Sequence, residues 1–325
     1  MKIFAFDCRN FDEQPFFREF SEEFGVEIGI CDKPISLENL HLADGYDYIS
    51  VVTNPVTAPM LDEMKKMGIK MISTRTIGFD HIDCAHARKI GMPVSNATYT
   101  PDCVAEYTIM LMLMSIRKMK RIMQRAVIND FTLKGINGGI FSERTVGVIG
   151  TGRIGKAVVR DLKGFGCKVY AYDVYPDPNL DVEYLPLEEI FKKCDVISLH
   201  APLTPDTFHM INKEAIDMMP ERVIIVNTAR GGLIDSDALI DALESGKVAA
   251  CGLDVVEDEF GMYYHDRRAD VLGNRCLSIL RDMPNVVVTP HMAFYTDRAV
   301  SDMVRNSIIS CVRNHNGEEN PFQVV

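Results

Sequence analysis

Apolar residues along this chain recur with two alternating periods. Short runs rich in β-branched and aromatic residues read as buried strands at residues 1–6, 26–30, 48–52, 70–74 and 93–96. Between them, residues 16–24, 61–67 and 86–90 place apolar side chains at helical spacing, with Gly68 and Gly91 closing the second and third helices. Thr100-Pro101 opens a longer helix, Thr as cap and Pro in the first turn, and the pattern then runs over residues 102–129 without Gly or Pro. The alternation resumes with strands at 145–149, 168–172, 196–199, 223–227, 249–253 and 286–288. Helices at 156–165, 187–193, 213–218 and 236–244 separate most of these, and Gly166 and Gly246 stop two of them. A last helix spans residues 296–313, and a polar tail follows. Strands alternating with helices predict an α/β chain of two doubly wound parallel sheets.

One βαβ unit carries more than pattern. Its first strand ends in Gly150-Thr151-Gly152-Arg153-Ile154-Gly155, a helix follows, and the next strand ends at Asp173. The first glycine permits a tight turn, the second lets backbone approach a pyrophosphate, and the third lets helix pack on strand. The helix N-terminus offers N–H groups and partial positive charge to phosphates. Asp173 stands where a carboxylate accepts hydrogen bonds from ribose hydroxyls. A 2′-phosphate beside Asp173 would be repelled, and Val174-Tyr175-Pro176-Asp177 offers no Arg or Lys to receive one, so NAD is expected over NADP. Residues 100–298 therefore read as a Rossmann NAD-binding domain. The last helix can return to the first sheet, so residues 1–99 with 299–325 read as a flavodoxin-like substrate domain, with a cleft between the two.

Composition narrows the class. The 325 residues suffice for two cores, and 47% hydrophobic with 25% charged residues is ordinary for a soluble protein. A net charge of −11 argues against a general nucleic-acid or anionic-membrane binder. Asp7 interrupts the N-terminal apolar run, which predicts no signal peptide, and no run is long enough to span a bilayer. The nine cysteines are scattered and form no C-x-x-C pair, which predicts reduced thiols in a cytoplasmic protein without a disulfide framework or zinc site. Met110, Met112, Met114, Met119 and Met123 read as filling for a core or a two-fold subunit interface, which predicts a homodimer or a dimer of dimers.

In an open parallel sheet, ligands bind beyond the carboxyl ends of the strands. Those positions hold residues 150–155, Asp173, His200-Ala201-Pro202, Thr228-Ala229-Arg230, Asp254 with Glu259 nearby, and His291. The first sheet adds Ile77-Gly78-Phe79. Hydride chemistry needs a proton donor and acceptor, for which histidine suits, and a fixed cation for a substrate anion, for which the arginine fork suits. His291 and Arg230 fit, and Glu259 or Asp254 is the candidate carboxylate to orient the imidazole. Plainer readings stand beside these. Arg230 reads equally as a surface ion-pair partner, and His291 as a buried imidazole bonded to backbone. His200 reads as packing near the adenine end, and Asp80, His81 and Asp83 as a solvated loop or helix start, with no metal expected.

Four motifs in order, the glycine turn, Asn227-Thr228-Ala229-Arg230-Gly231, Gly252-Leu253-Asp254-Val255 with Glu259, and Thr289-Pro290-His291, resemble those of the D-2-hydroxyacid dehydrogenases over nearly the whole chain. Within that family the chain is most similar to D-lactate dehydrogenases, through Thr74-Arg75-Thr76-Ile77-Gly78, Tyr99-Thr100-Pro101-Asp102, the segment 260–274 that starts at Phe260, and Phe294-Tyr295. The resemblance implies that Arg230 binds the substrate carboxylate, His291 is the acid/base and Glu259 its partner. It implies backbone N–H groups at Ile77 and Gly78 on the carboxylate and Tyr99 lining the pocket. For NAD it implies Arg153, Ile154, Asp173, Ala201, Pro202, Thr207, Thr228, Ala229 and Asp254, besides the glycines 150, 152 and 155. The expected activity is reduction of pyruvate to D-lactate. The alternatives are a reductase of bulkier 2-keto acids (2-ketoisocaproate, phenylpyruvate) and an NAD-sensing binding protein on the same fold. Val51 and Val52, apolar and without a cation, read as facing the substrate side chain and disfavour a dicarboxylate.

Overall fold

A computed structural model describes residues 1–259, 261–264 and 266–325. Phe260, the first residue of the segment singled out above, lies outside the described residues, as does His265. The chain divides into two compact units, residues 1–100 with 295–325 and residues 101–294. Each is a parallel sheet with helices on both faces.

The first unit contains β1 (Lys2–Ala5), α1 (Glu13–Phe24), β2 (Glu27–Ile30), β3 (Tyr48–Val51), α2 (Ala58–Lys66), β4 (Met71–Thr74), α3 (Cys84–Ile90) and β5 (Val94–Ser95). Its five strands run parallel in the order β2-β1-β3-β4-β5, the flavodoxin-like winding. β3 and β4 are buried at every position, so they read in the sequence without strict alternation, their polar Ser50, Ser73 and Thr74 being buried as well. Val51 and Val52 are buried at the end of β3. The C-terminal helix Asp297–Asn316 shares a core with α1 over Ile3, Tyr48 and Met71, while α2 and α3 cover Ile49 and Ile72 on the other face.

The end of the chain differs from the polar tail expected. Val324 N–H donates to Val94 O at 2.8 Å and Asn96 N–H to Phe322 O at 2.9 Å. The tail thereby covers the outer edge of β5, whose backbone groups would otherwise lack partners. At the centre of this unit Arg75 and Glu13 are both fully buried and paired, Nε to Oε1 at 2.8 Å. Arg75 also donates to Ser50 Oγ and to the carbonyls of Phe6 and Asp7. Burial resists ionisation of Glu13, but Arg75 and Arg9 outweigh it and hold the carboxyl below its ordinary range.

The second unit contains α4 (Asp102–Ile116), α5 (Met119–Val127), β6 (Thr145–Ile149), α6 (Arg153–Gly164), β7 (Lys168–Tyr172), β8 (Glu183–Tyr184), α7 (Leu187–Lys193), β9 (Val196–Leu199), α8 (Lys213–Met218), β10 (Val223–Asn227), α9 (Ser236–Ser245), β11 (Val248–Leu253), α10 (Arg275–Asp282) and β12 (Val286–Val288). Seven parallel strands lie in the order β12-β11-β10-β9-β6-β7-β8. α4 and α6 pack over Val146, Val148, Val226 and Ala250, and α7 to α10 pack over Ile149, Ile197, Ile225 and Cys251.

The single helix expected over residues 102–129 is two helices. Lys118 adopts the left-handed conformation at φ 54°, and the Ile116 carbonyl accepts from Gly139 N at 3.3 Å instead of continuing the helix. A Cβ at Gly138 would lie 2.8 Å from that carbonyl oxygen, so the glycine loop itself makes the close approach that ends α4. Of the five methionines expected in a core or interface, Met112 is buried, whereas Met110 and Met123 are exposed. β8 and α10 were not expected, because the first is a polar pair and the second carries only two turns of apolar spacing.

Replacing Glu13 by Ala leaves the Arg75 charge buried without its carboxylate. The expected cost is ~3–5 kcal/mol of stability, read as a lower urea midpoint at unchanged slope.

Candidate active site

The order of the seven strands reverses at β6, which has β7 on one side and β9 on the other. Loops leaving β6 and β9 therefore part in opposite directions and open a crevice at the carboxyl edge. Gly150 begins the first loop at φ 93°, and a Cβ there would lie 2.7 Å from Ala201 N and His200 O. A Cβ on Gly155 would meet the Gly150 carbonyl oxygen at 1.9 Å, so only glycine lets α6 start this close to β6. A Cβ on Gly152 would meet nothing within 4 Å, and no side chain caps α6 among the described residues. The turn carrying Arg153 and Ile154 thus presents an open helix N-terminus, which fits a pyrophosphate.

Asp173, after β7, accepts from Thr151 N at 2.6 Å, Thr151 Oγ1 at 3.0 Å and Tyr175 N at 2.9 Å. Burial resists its ionisation, but these hydrogen bonds outweigh burial and hold the carboxyl below its ordinary value. It is an anion bound to the glycine turn, with the spare acceptor capacity that two carboxylate oxygens provide. After β9, Thr207 Oγ1 donates to Pro202 O at 2.7 Å, and Thr204 N donates to Thr207 Oγ1 at 2.8 Å, closing the loop that begins at Ala201. His200 Nε2 lies 2.8 Å from Ser198 Oγ, and burial pushes the imidazole down to about 4, so it is neutral near pH 7. A neutral packing histidine is the plainer reading given above.

After β10, the fully buried Asn227 forms the Arg230 turn. Its Nδ2 donates to Arg230 O at 2.8 Å and its Oδ1 accepts from Ala229 N at 2.9 Å. Thr228 Oγ1 is 2.8 Å from Thr108 Oγ1 on α4. The Arg230 guanidinium donates to Ala229 O at 2.7 Å.

After β11 and β12, one buried carboxylate holds a whole turn. Asp254 accepts from Thr289 Oγ1 at 2.5 Å, Met292 N at 2.9 Å and Ala293 N at 2.8 Å. Its backbone oxygen accepts from His291 N at 2.8 Å, and His291 sits in the left-handed region at φ 53°. Burial pushes the Asp254 carboxyl above its ordinary value, with those hydrogen bonds acting against it. The result is a histidine in the left-handed region, uncommon for a residue other than glycine, fixed by its surroundings. His291 Nδ1 lies 2.6 Å from Glu259 Oε1, and Glu259 Oε2 accepts from Val256 N at 2.9 Å. Nε2 of His291 makes no hydrogen bond among the described residues, and the side chain is 27% exposed.

In the first unit, the loop after β4 is tied by its carbonyl oxygens. Thr76 Oγ1 donates to Gly78 O at 2.6 Å, and Asn96 Nδ2 donates to Ile77 O at 2.7 Å. The N–H groups of Ile77 and Gly78 have no partner among the described residues. His81 Nε2 lies 3.1 Å from Thr74 Oγ1, and Asp83 caps α3 by accepting from His86 N. Tyr99 lies on the stretch that precedes α4.

The structure therefore brings His291 to Glu259, Asp173 to the glycine turn, Thr207 to Pro202, and Ala229 and Arg230 into one turn. Asp254 does not orient the imidazole ring, as one alternative had it; it builds the turn on which the ring stands. Asn227, Thr289 and Tyr264, whose hydroxyl donates to His291 O at 2.6 Å, were not singled out. Asn227 and Thr289 lay within the quoted motifs, each beside the residue it positions, and polar residues at buried strand ends were the available signal.

Comparison with known proteins agrees with this architecture. The family model described as D-isomer specific 2-hydroxyacid dehydrogenase, NAD binding domain, matches residues 109–293. An aromatic 2-oxoacid reductase of Clostridium sporogenes is 41% identical over 95% of this chain and 95% of its own length. The D-lactate dehydrogenase of Escherichia coli is 36% identical over 100% of both chains. A solved D-2-hydroxyisocaproate dehydrogenase superposes with a TM-score of 0.90 at 34% identity, covering 100% of this chain and 99% of its own. The fold and the glycine crevice are those of an NAD-binding oxidoreductase. The chain belongs to the D-isomer-specific 2-hydroxyacid dehydrogenase family.

Proposed function

We propose that this chain is an NAD-dependent D-lactate dehydrogenase that works mainly as a pyruvate reductase. The observation that carries the reading is the His291–Glu259 pair. With Nδ1 engaged by Glu259 at 2.6 Å, the ring is oriented and Nε2 is left to exchange a proton. NADH, when bound, supplies the hydride that reaches the keto carbon of pyruvate. His291 Nε2 gives its proton to the keto oxygen, so that one hydride and one proton convert ketone to alcohol. Arg230 holds the substrate carboxylate through its planar fork and polarises the keto oxygen. The backbone N–H groups of Ile77 and Gly78 hold the same carboxylate, and Tyr99 lines the pocket. Gly150, Gly152, Arg153, Ile154, Gly155, Asp173, Ala201, Pro202, Thr207, Thr228, Ala229, Arg230 and Asp254 hold the cofactor, with Asp173 selecting NAD.

The enzyme is cytoplasmic and fermentative in this reading, and no helix among the described residues is long and apolar enough to cross a membrane. It is also a homodimer, or a dimer of dimers. Helix α5 has no buried residue, and Val127, Ile128, Phe131 and Leu133 beside Met123 form an exposed apolar stretch that a second copy would cover. A second reading has the same chemistry on bulkier 2-keto acids. The names of the Clostridium sporogenes relative and of the solved hydroxyisocaproate enzyme favour it.

The deciding experiment is NADH oxidation with a panel of 2-keto acids, followed by chiral analysis of the product. Pyruvate is expected to give the highest kcat/KM and D-lactate; a preference for 2-ketoisocaproate or phenylpyruvate would select the second reading, and no turnover at all would leave a binding protein. His291→Gln is expected to lower kcat by about a hundredfold or more with the Kd for NADH unchanged, the size expected for loss of a general acid. Arg230→Lys is expected to raise the KM for pyruvate about tenfold or more, because a point charge does not replace a bidentate fork.

A further inference from the structure

Two residues from Glu259 lies a second imidazole–carboxylate pair. His209 Nε2 stands 2.6 Å from Glu257 Oε1, on the same short segment whose Glu259 meets His291. Residues 256–259 follow β11 and belong to no strand, so side chains and neighbouring loops must hold them. Glu257 does much of this. Its Oε2 accepts from Ser236 N at 2.9 Å at the start of α9, and its backbone oxygen accepts from Asn274 Nδ2 at 2.7 Å. The turn after β10 packs on the same peptide: a Cβ on Gly231 would lie 2.1 Å from Val256 O and 2.4 Å from Glu257 N.

His209 is itself fixed. Its backbone is left-handed at φ 53°, its N–H donates to Gly232 O at 2.9 Å, and the Phe208 ring stacks on it at 3.8 Å. Its Nδ1 faces Asp235 Oδ2 at 3.9 Å, and the other oxygen of Asp235 caps α9. His209 thus joins three loops of the carboxyl edge: it lies on the loop of Ala201, Pro202 and Thr207, its backbone N–H holds the turn of Arg230, and its imidazole holds the segment of Glu259. An exposed ion pair would do little here. This pair is more than half buried on both sides, and both Glu257 oxygens are in use.

We propose that His209 is a positioning residue for the reaction: through Glu257 it fixes the segment that carries Glu259 and so sets the grip of Glu259 on His291. The proposal rests on the reading of His291 and Glu259 as the proton-donating pair. His209 touches no reacting atom. Its loss acts on the orientation of the donor, much as an outer partner orients a metal-bound imidazole.

The test compares His209→Ala, His209→Gln, Glu257→Gln and Glu259→Gln in pyruvate reduction across pH, with the Kd for NADH measured separately by fluorescence. His209→Ala is expected to lower kcat about tenfold, the scale of a small misplacement at a reacting centre, and to change the NADH Kd less than it changes kcat. It is expected to move the alkaline limb of the pH profile in the direction that Glu259→Gln moves it. His209→Gln, which retains a donor of similar reach, is expected to recover most of kcat. The double variant of His209→Ala with Glu257→Gln is expected to lose no more than the worse single, because the two act as one unit. An unchanged kcat, an unmoved pH limb, or a loss found wholly in the NADH Kd overturns the proposal. Should His209→Ala fail to fold, Glu257→Gln carries the same readings. His291→Gln in the same assay separates the two levels: wild-type turnover in that variant sinks the reading of the site itself, independently of His209.

Discussion

In the seven-stranded sheet every strand runs the same way, so every strand delivers its following loop to one edge. That constraint gathers the glycine turn, Asp173, the Ala201 loop, the Arg230 turn, Asp254 and His291 from positions spread over some half of the chain. No local sequence signal could do this, because the residues concerned are far apart and their loops share no pattern. The strand order adds the second condition. Where β6 has β7 on one side and β9 on the other, the loops diverge, and the glycine turn occupies the opening.

Buried polar groups then convert a rim into a site. Asn227 closes the Arg230 turn with both ends of its amide, and Asp254 closes the His291 turn with both oxygens. Each lies at the last position of a strand or just beyond it, where backbone pairing stops and unsatisfied N–H groups begin. A short amide or carboxylate there meets a need that the sheet has created. In the first unit Thr76 and Asn96 take the carbonyls of Gly78 and Ile77 in the loop after β4.

The strands and the glycine turn could be read from the sequence because burial on both faces writes an unbroken apolar run, and because three glycines answer three separate steric demands. His291 could be named from its place after a strand, but its pairing with Glu259 rather than Asp254 could not be derived from spacing. Asp254 is the acid nearer in sequence to a strand end, and only the closed turn shows that its oxygens are already used. The break between α4 and α5 was hidden because it lies at Lys118, a residue without helix-breaking character, and its cause is a glycine loop some twenty residues later. The role of the last residues was hidden for a similar reason: Val324 and Val325 look like a short frayed end until the edge of β5 is there to receive them.

The first unit is assembled from both ends of the chain, and this has a temporal side. Its sheet shares a core with Val304, Ile308 and Cys311, and the edge of its last strand is sealed by residues near 324. On the ribosome, the second unit can complete all seven strands while the first still lacks a helix over one face. Residues 1–100 emerge before the second unit and are fully packed only after it. During that interval the exposed face over Tyr48 and Met71 is where a nascent chain of this kind is most open to chaperones and to mispairing.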